Sequence, residues 1–571
     1  HANVYTTEGD SGNTGSAGFV GDASWYGAYI VNSYSNGTVE CLTSCSQDTI
    51  LSGFSVHGSC TNCYWDTQTS GINQDYCATG KTTNELRQQA TFANWDFFET
   101  WMIKQNTDYP LLKNMDWQKP GVEIKKPKQG YYNTDTIKFE VYAKDKYSYI
   151  DKCWYSTDYG ETNTTMNEIS LGKYEHTKTG LIDGSHTANI YCNDTSGKIN
   201  DSEKVTFNID TQNPEINFDE PPTPIDNTFQ IEDEFTIFAT STDTNQVNII
   251  MDFDETLLGW WRMDEYDSNT DQIIDNSGKN NHATTNKAYP VMPGRFGRGI
   301  QLNNTGNRID IADTQELNSM SELTLSAWIK LNSYSGTTDF TMWPKIIIKP
   351  HTSYSAPWEL YTLDLSNTGD TPRILVGDGV SEAGVNSGET LNLGEWYHIV
   401  GTFNNGETKI YVNGEMKAEN LATGITKIGT NTMPVSIGAR YSPGEHATDS
   451  LNNFNGTIDE VMILNRELTP AEIQALYIGA TPKTLQETYQ NLQSNSYTYK
   501  AYTQDLAGNM GETEKRTITI GAPEPPEIVY ISDILEAGPD RDLIADGEIK
   551  KTFEFYTYSQ AGVDALPSRA E

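Results

Sequence analysis

Short segments in which apolar and polar residues alternate run along most of the chain, and clusters of Gly, Asn, Thr and Ser separate them. Ile137-Lys-Phe-Glu-Val141 is typical, because its period of two places every second side chain on one face, as in a half-buried strand. Two short helices are predicted near Thr82 and Thr469, since each Thr precedes a Glu by three residues, as in a capping box. The pattern as a whole predicts an all-β protein.

One pair of alternating strands occurs twice. The segment TANIYCNDTSGKINDSEKVTFNID (187–210) aligns without a gap with TYKAYTQDLAGNMGETEKRTITIG (498–521), an offset of 311 residues. Upstream, the strands that begin at Pro120 and Pro214 also match, but at an offset of 94 residues. The change of offset indicates that about 217 residues are inserted into the second copy.

Without the insert, each copy consists of short alternating strands joined by turn residues, which is typical of an immunoglobulin-like β-sandwich. We predict a first sandwich at 118–211 and a discontinuous second one at 212–256 and 479–521. The start of a third is predicted at 524–571, and we expect the tandem array to continue beyond this chain.

Two cysteines lie inside the first predicted sandwich, and five lie near the N-terminus. Cys153 and Cys192 are 39 residues apart on strands that we expect to face each other, so we predict a disulfide that joins the two sheets. The other cysteines have C-x3-C and C-x2-C spacings that suit disulfides, a zinc site or free thiols. They are Cys41, Cys45, Cys60, Cys63 and Cys77.

Six N-x-[ST] sequons are candidate glycosylation sites, although such sequons also arise by chance in a chain rich in Asn and Thr. Together with the paired cysteines they favour an exported protein in an oxidising compartment. The sequons are at Asn36, Asn163, Asn193, Asn200, Asn303 and Asn455.

The charge of the chain excludes some partners. It has 78 acidic and 39 basic residues and a net charge of −39, which repels nucleic acid and anionic lipid and attracts divalent cations. We find no apolar run long enough to span a membrane and no signal peptide at the first residues. We expect an extracellular protein.

The insert resembles the laminin G-like, concanavalin A-like jelly roll, and we predict this domain at 257–478. The resemblance rests on motifs in the order expected for the family. They are GWWRMDE (259–265), DNSGKNNHA (275–283), GRFGRGIQLNN (294–304), LTLSAWIK (323–330), GEWYHIVGTF (394–403), KIYVNGE (409–415), VSIGAR (435–440) and NGTIDEVMILNRELTPAEIQALY (455–477).

The resemblance implies a structural calcium ion bound by Asp275 and Asp459, with Asn281 nearby, since carboxylate and amide oxygens suit Ca²⁺. The alternative for Asp275 is that it caps its own turn. Laminarinase-like relatives of this fold carry E-x-D-x-E on one strand. The nearest match here, with Asp252 and Asp254, lacks the glutamates and precedes the jelly roll. We therefore expect junction residues there and no enzyme.

The first 115 residues resemble GLUG-repeat proteins of bacterial and archaeal surfaces. GFVG…IVNSYSNGTV (18–39) recurs as GFSV…CTNCYWDTQTS (53–70), followed by GKTT. The resemblance implies the end of a β-solenoid at 1–115, with an irregular, cysteine-linked cap as the alternative.

The predicted order of domains favours a non-enzymatic protein of the cell surface, either an adhesin or a subunit of a filament or surface layer. Its expected partners are copies of itself, neighbouring surface proteins or glycans, and the jelly roll would make the contact. The alternatives are a secreted carbohydrate-binding protein, with Trp343, Trp358 or Tyr441 as glycan contacts, and a fragment of a large exported glycan-active enzyme.

Overall fold

The computed structural model describes residues 4–6, 15–17, 29–36, 39–41, 50–55, 59–112, 118–146, 148–158, 160–303, 307–334, 343–351, 357–366, 370–441, 452–521, 553–555 and 568–570. The chain divides into two compact units. The first contains residues 1–128, 136–181 and 185–207, and the second contains 129–135, 182–184 and 208–571.

Short strands near the N-terminus pair in parallel, as stacked rungs require. The pairs are β1 (Val4–Thr6) with β5 (Val39–Cys41), β2 (Gly15–Ala17) with β6 (Ile50–Ser52), β3 (Tyr29–Val31) with β7 (Ser59–Thr61), and β4 (Tyr34–Ser35) with β8 (Tyr64–Asp66) and then β9 (Thr79–Lys81). Helix α1 (Thr67–Ser70) and an antiparallel pair, β10 (Trp101–Met102) and β11 (Leu111–Leu112), follow. The GLUG-type solenoid itself stays a prediction.

The segment after β9 has the predicted capping box but not the predicted α-helix, and two of the nearby cysteines are paired. Thr82 and Glu85 exchange the hydrogen bonds of a capping box, but the segment forms only a 3-10 turn at Glu85–Arg87. Cys60 and Cys77 form a disulfide, and Cys63 is buried and free. The structure describes neither Cys45 nor the side chain of Cys41, so their pairing lies outside the described residues.

The first sandwich has two sheets, in the orders β12-β14-β18-β17 and β13-β20-β19-β15-β16. Its strands are β12 (Gly121–Lys126), β13 (Tyr131–Tyr132), β14 (Ile137–Lys144), β15 (Ile150–Ser156), β16 (Thr164–Thr165), β17 (Asn167–Ser170), β18 (Lys173–Lys178), β19 (Gly184–Asp194) and β20 (Ile199–Ile209).

The disulfide Cys153–Cys192 is confirmed, but its predicted geometry is wrong. The two residues lie directly opposite each other on β15 and β19, neighbouring antiparallel strands of one sheet, so the bond does not join the two sheets. The sequence separation was compatible with both arrangements, because it does not reveal which strands are neighbours.

The second sandwich also has two sheets, in the orders β21-β23-β42 and β22-β45-β43-β24, with β44 on β43. Apolar residues from both sheets, among them Ile237, Ile249 and Ala501, form one core. The strands are β21 (Glu215–Phe218), β22 (Thr228–Gln230), β23 (Phe235–Thr242), β24 (Val247–Phe253), β42 (Lys483–Tyr489), β43 (Asn495–Asp505), β44 (Met510–Glu512) and β45 (Arg516–Ile520). Whether either sandwich is of immunoglobulin type stays a prediction.

The jelly roll lies between β24 and β42 in the sequence. One sheet has the order β29-β30-β41-β32-β37-β38-β39, with β25 also on β41, and the other has the order β26-β27-β28-β31-β40-β33-β34-β35-β36. A large apolar core separates them. The strands are β25 (Leu257–Trp261), β26 (Tyr266–Asp267), β27 (Gln272–Ile273), β28 (Ala283–Asn286), β29 (Pro290–Val291), β30 (Gly299–Asn303), β31 (Arg308–Ile311), β32 (Glu322–Leu331), β33 (Lys345–Pro350), β34 (Glu359–Leu365), β35 (Pro372–Gly377), β36 (Glu382–Asn386), β37 (Trp396–Asn404), β38 (Glu407–Val412), β39 (Glu415–Asn420), β40 (Val435–Ile437) and β41 (Asn455–Leu464).

Helix α2 (Pro470–Leu476) follows β41 with the capping box predicted for it. Thr469 accepts from the backbone N–H of Glu472, and the Glu472 side chain accepts from the backbone N–H of Thr469. Asn413 and Gly414, residue types that favour a tight hairpin turn, form the turn between β38 and β39 with left-handed backbone.

Two further features complete the chain. In the predicted third sandwich the structure describes only an antiparallel pair, β46 (Phe553–Phe555) and β47 (Ser568–Ala570), and the rest of 524–571 lies outside the described residues. Among the described helices, none has the length and apolar character that crossing a membrane requires.

Candidate functional site

The nine-stranded sheet of the jelly roll has one apolar face and one polar face. Tyr361 and Leu363 of β34 belong to the core, so Thr362 and Asp364, which alternate with them, lie on the other face. Cross-strand pairing brings further polar residues beside these two. We call this set the polar face: Arg308, Asp310, Lys345, Thr362, Asp364, Arg373 and Ser436.

Asp364 is fully buried at the centre of an ion-pair group. Lys345 Nζ lies 2.5 Å from its Oδ2, and Arg373 donates from Nε and Nη2 to its two oxygens at 2.8 and 2.7 Å. Burial raises the pKa of Asp364, but Lys345 and Arg373 outweigh burial and hold that pKa below its usual range. The carboxylate is therefore ionised at neutral pH, and its bidentate pairing fixes the plane of the Arg373 guanidinium.

Further charges extend this group at one end of β34. Glu359 Oε1 lies 3.1 Å from Lys345 Nζ and 3.8 Å from Arg440 Nη1. Glu382 of β36 accepts a hydrogen bond from the backbone N–H of Trp358 at 2.6 Å. Burial lowers the pKa of Arg373, but nearby carboxylates, Glu382 among them, outweigh burial and raise that pKa. Each of these charges has an opposite charge as a neighbour.

A second group lies across β31 and β40. Arg308 Nε donates to both oxygens of Asp310 at 3.0 and 2.9 Å, and Ser436 Oγ donates to Asp310 Oδ1 at 2.7 Å. Burial raises the pKa of Asp310, against the effect of the Arg308 charge. The side chains of this group are held in place by one another, as a rigid binding surface requires.

An arginine lies over each of the three aromatic residues singled out from the sequence. Arg373 is 4.0 Å from the ring centre of Trp343, Arg440 is 5.8 Å from that of Trp358, and Arg308 is 5.2 Å from that of Tyr441. Trp358 is 40% exposed.

Flat aromatic rings beside fixed hydrogen-bonding groups are suited to a ligand that has both C–H faces and hydroxyl groups. The aromatic residues were predicted as contacts, whereas the charged groups were not, because they become neighbours only through the pairing of β31, β33, β34, β35 and β40.

Asp252 and Asp254, the nearest match to the E-x-D-x-E motif, lie at a domain junction. Strand β24 ends at Phe253, Asp254 and Glu255 form a turn with left-handed backbone, and β25 begins at Leu257. Asp252 Oδ1 accepts from the backbone N–H of Leu257 at 3.1 Å and so bridges this turn. The absence of enzymatic activity stays a prediction.

The predicted calcium residues have hydrogen-bond donors as partners. Asp275 accepts from the backbone N–H groups of Trp260, Ser277 and Asn281 and from the Ser277 hydroxyl at 2.8–2.9 Å. Four donors leave the Asp275 oxygens little capacity for an ion, and the arrangement fits the alternative in which Asp275 caps its turn.

Asp459 has a similar environment. Its Oδ2 accepts from the backbone N–H groups of Arg295 and Phe296 at 2.7 and 3.0 Å. The Asn281 amide donates to the Leu258 carbonyl at 2.8 Å. Calcium at Asp275, Asn281 and Asp459 stays a prediction.

A different acidic group was not predicted from the sequence. Among the described residues, carboxylate oxygens of Asp210, Asp243 and Asp505 lie within 4.8 Å of one another, which would allow one metal ion to contact all three. Asp505 is the last residue of β43, within the second copy of the repeat, and its Oδ1 accepts from the backbone N–H groups of Ala507 and Asn509. Asp194 in the first copy accepts in the same way from Ser196 and Lys198.

The sequons differ in accessibility. Asn163 and Asn303 are exposed, whereas Asn200 is buried and its amide donates to the Pro120 carbonyl at 2.9 Å. The Asn193 and Asn455 amides donate to Asp151 and Ser333 at 3.0 and 2.6 Å. Glycosylation at Asn36 and the other five sites stays a prediction, with Asn163 and Asn303 the sites a glycan would reach without structural change.

Comparison with known proteins supports the jelly roll. Residues 303–474 match the model of the concanavalin A-like lectin/glucanases superfamily. No curated protein sequence is significantly similar to this chain.

Several solved structures have some likeness in fold. Domain 4 of the extracellular GH43 arabinanase AbnA from Geobacillus stearothermophilus, in complex with arabinotriose, is 18% identical, with 39% of this chain and 98% of that domain covered and a TM-score of 0.30. The binding domain of Paraclostridial Mosquitocidal Protein 1 is 19% identical, with 39% of this chain and 52% of that chain covered and a TM-score of 0.31. The CBM40 of the Ruminococcus gnavus IT-sialidase, bound to α2,3-sialyllactose, is 15% identical, with 31% of this chain and 96% of that chain covered and a TM-score of 0.27.

Proposed function

We propose that this protein binds carbohydrate through the polar face of its jelly roll. The observation that carries the proposal is the placement of Trp343, Trp358 and Tyr441 beside fixed charged groups on one face of the nine-stranded sheet. Aromatic rings pack against the C–H faces of sugars, and carboxylates and guanidinium groups are acceptors and donors for hydroxyl groups. The match of residues 303–474 to a superfamily described by its lectins and glucanases supports the same proposal.

The test is binding of the full chain to an array of oligosaccharides, with Trp358→Ala and Trp343→Ala as variants. We expect each variant to weaken binding of the glycan retained by the wild type about tenfold or more, because a stacked aromatic contributes on the order of 1–3 kcal/mol in comparable recognition. Trp396→Ala is the matched control. Trp396 also has a cation over its ring, Lys330 at 5.0 Å, but it lies on β37 of the other sheet.

Equal loss of binding in Trp396→Ala and Trp358→Ala would contradict a site on the polar face. Absence of binding to every glycan of a broad array would contradict the function. Release of new reducing ends from a bound polysaccharide would show that the chain is an enzyme, against the prediction.

Display at a cell surface is a second proposal. The observation that favours it is that the jelly roll enters from β24 and returns to β42, so the second sandwich holds it at two points. The disulfides Cys60–Cys77 and Cys153–Cys192 fit an extracellular location. Antibody labelling of intact cells tests the location. A protein found only in the cytoplasm would contradict both the extracellular location and an adhesive role.

Assembly into a filament or surface layer, through copies of the chain or neighbouring surface proteins, also stays a prediction, and imaging of the native particle tests it. We expect filaments or sheets, and a monodisperse monomer would contradict this prediction.

A further inference from the structure

The charges around the polar face are balanced. Among the residues that the structure describes, four cationic groups lie on or beside it, at Arg308, Lys345, Arg373 and Arg440, with four carboxylates near them, at Asp310, Glu359, Asp364 and Glu382. The distances reported above place a carboxylate of this set next to each cation. These named groups therefore present no surplus positive charge with which a ligand anion could pair.

The jelly roll that surrounds this face is acidic. Residues 257–478 include 26 acidic and 15 basic side chains, a net charge of −11 within a chain whose net charge is −39. At low ionic strength this charge acts over about 10 Å or more and opposes the approach of any anion. An acidic sugar would meet this repulsion and would also have to displace a carboxylate from a buried ion pair.

Displacement is unfavourable at the centre of the face. Asp364 is fully buried and makes a bidentate pair with Arg373 and a short contact with Lys345. If a ligand anion took these cations, Asp364 would be left as a buried charge without a partner, a change that costs several kcal/mol in comparable cases. Hydroxyl groups make no such demand, because they can bond to ion pairs that remain intact.

We propose that the polar face selects neutral oligosaccharides and rejects those with carboxylate or sulfate groups. This inference rests on the proposed carbohydrate binding and specifies its ligand class. The aromatic residues Trp343, Trp358 and Tyr441 supply stacking surfaces that do not depend on ligand charge, and the balanced ion pairs supply the discrimination.

The experiment uses the full chain and two probes with the same sugar backbone, an oligogalacturonate and its uncharged form with every carboxylate methyl-esterified. An array of neutral gluco-, manno-, arabino- and xylo-oligosaccharides is included with uronate and sulfated counterparts. We expect binding among the neutral probes, and at least about tenfold weaker binding of each charged counterpart at low salt. The difference should become smaller as salt is raised, because salt screens the part of the repulsion that acts through solvent.

A variant that removes one carboxylate tests whether the charges of the face cause the discrimination. Glu382→Gln removes one carboxylate next to Arg373 while retaining a side-chain oxygen that can accept from the Trp358 N–H. We expect this variant to bind the acidic probes more tightly than the wild type does, by about threefold to tenfold. Glu395→Gln, at an exposed carboxylate before β37 on the other sheet, is the matched control and should leave the ratio unchanged.

The outcomes separate the two proposals. Binding of acidic probes as tightly as neutral ones, or more tightly, overturns the inference about ligand class and leaves carbohydrate binding intact. An equal change in Glu382→Gln and Glu395→Gln also overturns it, because the discrimination would then come from overall charge and not from the face. Binding of no probe of either class overturns carbohydrate binding itself, and the inference with it.

Discussion

The carboxylate of Glu460 accepts a hydrogen bond from Gln504 Nε2 at 2.7 Å, which joins β41 of the jelly roll to β43 of the second sandwich. Both side chains are buried. Around them, Arg262 Nη2 donates to the Gly508 carbonyl at 2.5 Å, and Trp260 packs against Tyr502. The insert is therefore fixed to the sandwich by buried polar and apolar contacts as well as by the two chain connections.

A double-mutant cycle measures this contact. We expect Glu460→Ala and Gln504→Ala each to lower the free energy of unfolding, because each leaves a buried polar group without its partner. The double variant should lose less than the sum of the two, with a coupling of about 1–2 kcal/mol. Chemical unfolding of the full chain provides the measurement, and additive losses would show that the two side chains do not interact.

The orientation of the Glu460 side chain could not be predicted from the sequence. Adjacent residues on a regular strand, such as Asp459 and Glu460, point to opposite faces. Glu460, however, has left-handed backbone, and the pairing of β41 with β32 shifts register here. Ile458 and Val461 both lie in the core, so Asp459 and Glu460 between them both point away from it. A bulge of this kind depends on the register of the partner strand.

Features within a few residues of sequence were predicted correctly. The capping box of Thr469 and Glu472 and the Asn413-Gly414 turn follow from local chemistry, and the structure contains both. The polar face could be predicted only in part. The aromatic residues beside it were identified from the sequence, but the meeting of Lys345, Asp364 and Arg373 requires three strands to pair in a specific register.

Stability should depend on pH through Asp264. Burial raises the pKa of Asp264 to about 7, against the effect of Arg262, whose Nη2 lies 2.8 Å from the Asp264 carboxylate. Because this pKa is higher in the folded chain than in the unfolded chain, the folded state binds more protons between about pH 4 and 7. The stabilisation from Asp264 is complete below this window and is lost as the pH rises to about 7.

The measurement is the melting temperature of the wild type and of Asp264→Asn at several pH values from 5 to 8. We expect the wild type to lose more stability than the variant as the pH rises. Asp267→Asn is the control, because Asp267 is only half-buried and its pKa is lowered, chiefly by a hydrogen bond from the Asn269 backbone. Parallel pH profiles for wild type and Asp264→Asn would contradict the prediction.

The disulfide of the first sandwich gives a third prediction. Replacing Cys153 and Cys192 together by Ala should lower the free energy of unfolding of the sandwich by about 2–4 kcal/mol, since the bond restricts a loop of 39 residues in the unfolded chain. Unfolding of the double variant, compared with wild type under oxidising and reducing conditions, tests this. If reduction destabilises the double variant as much as wild type, the effect comes from Cys60–Cys77 and not from this bond.

Calcium provides the last prediction. If an ion binds at Asp275, Asn281 and Asp459, calcium at a hundredfold excess over its Kd should stabilise the chain by about 2.7 kcal/mol. Magnesium should act more weakly, because it favours a stricter geometry. Asp275→Asn should then remove the response. The same variant also weakens the hydrogen bonds that Asp275 accepts, so the informative quantity is the calcium-dependent shift in melting temperature and not the melting temperature itself.

A parallel variant, Asp243→Asn, alters the acidic group that Asp243 forms with Asp210 and Asp505. A shift that survives Asp275→Asn and disappears in Asp243→Asn would contradict the predicted site and locate the ion in the second sandwich. A melting temperature that calcium does not change in wild type would show that the hydrogen bonds of Asp275 and Asp459 hold their loops without a metal.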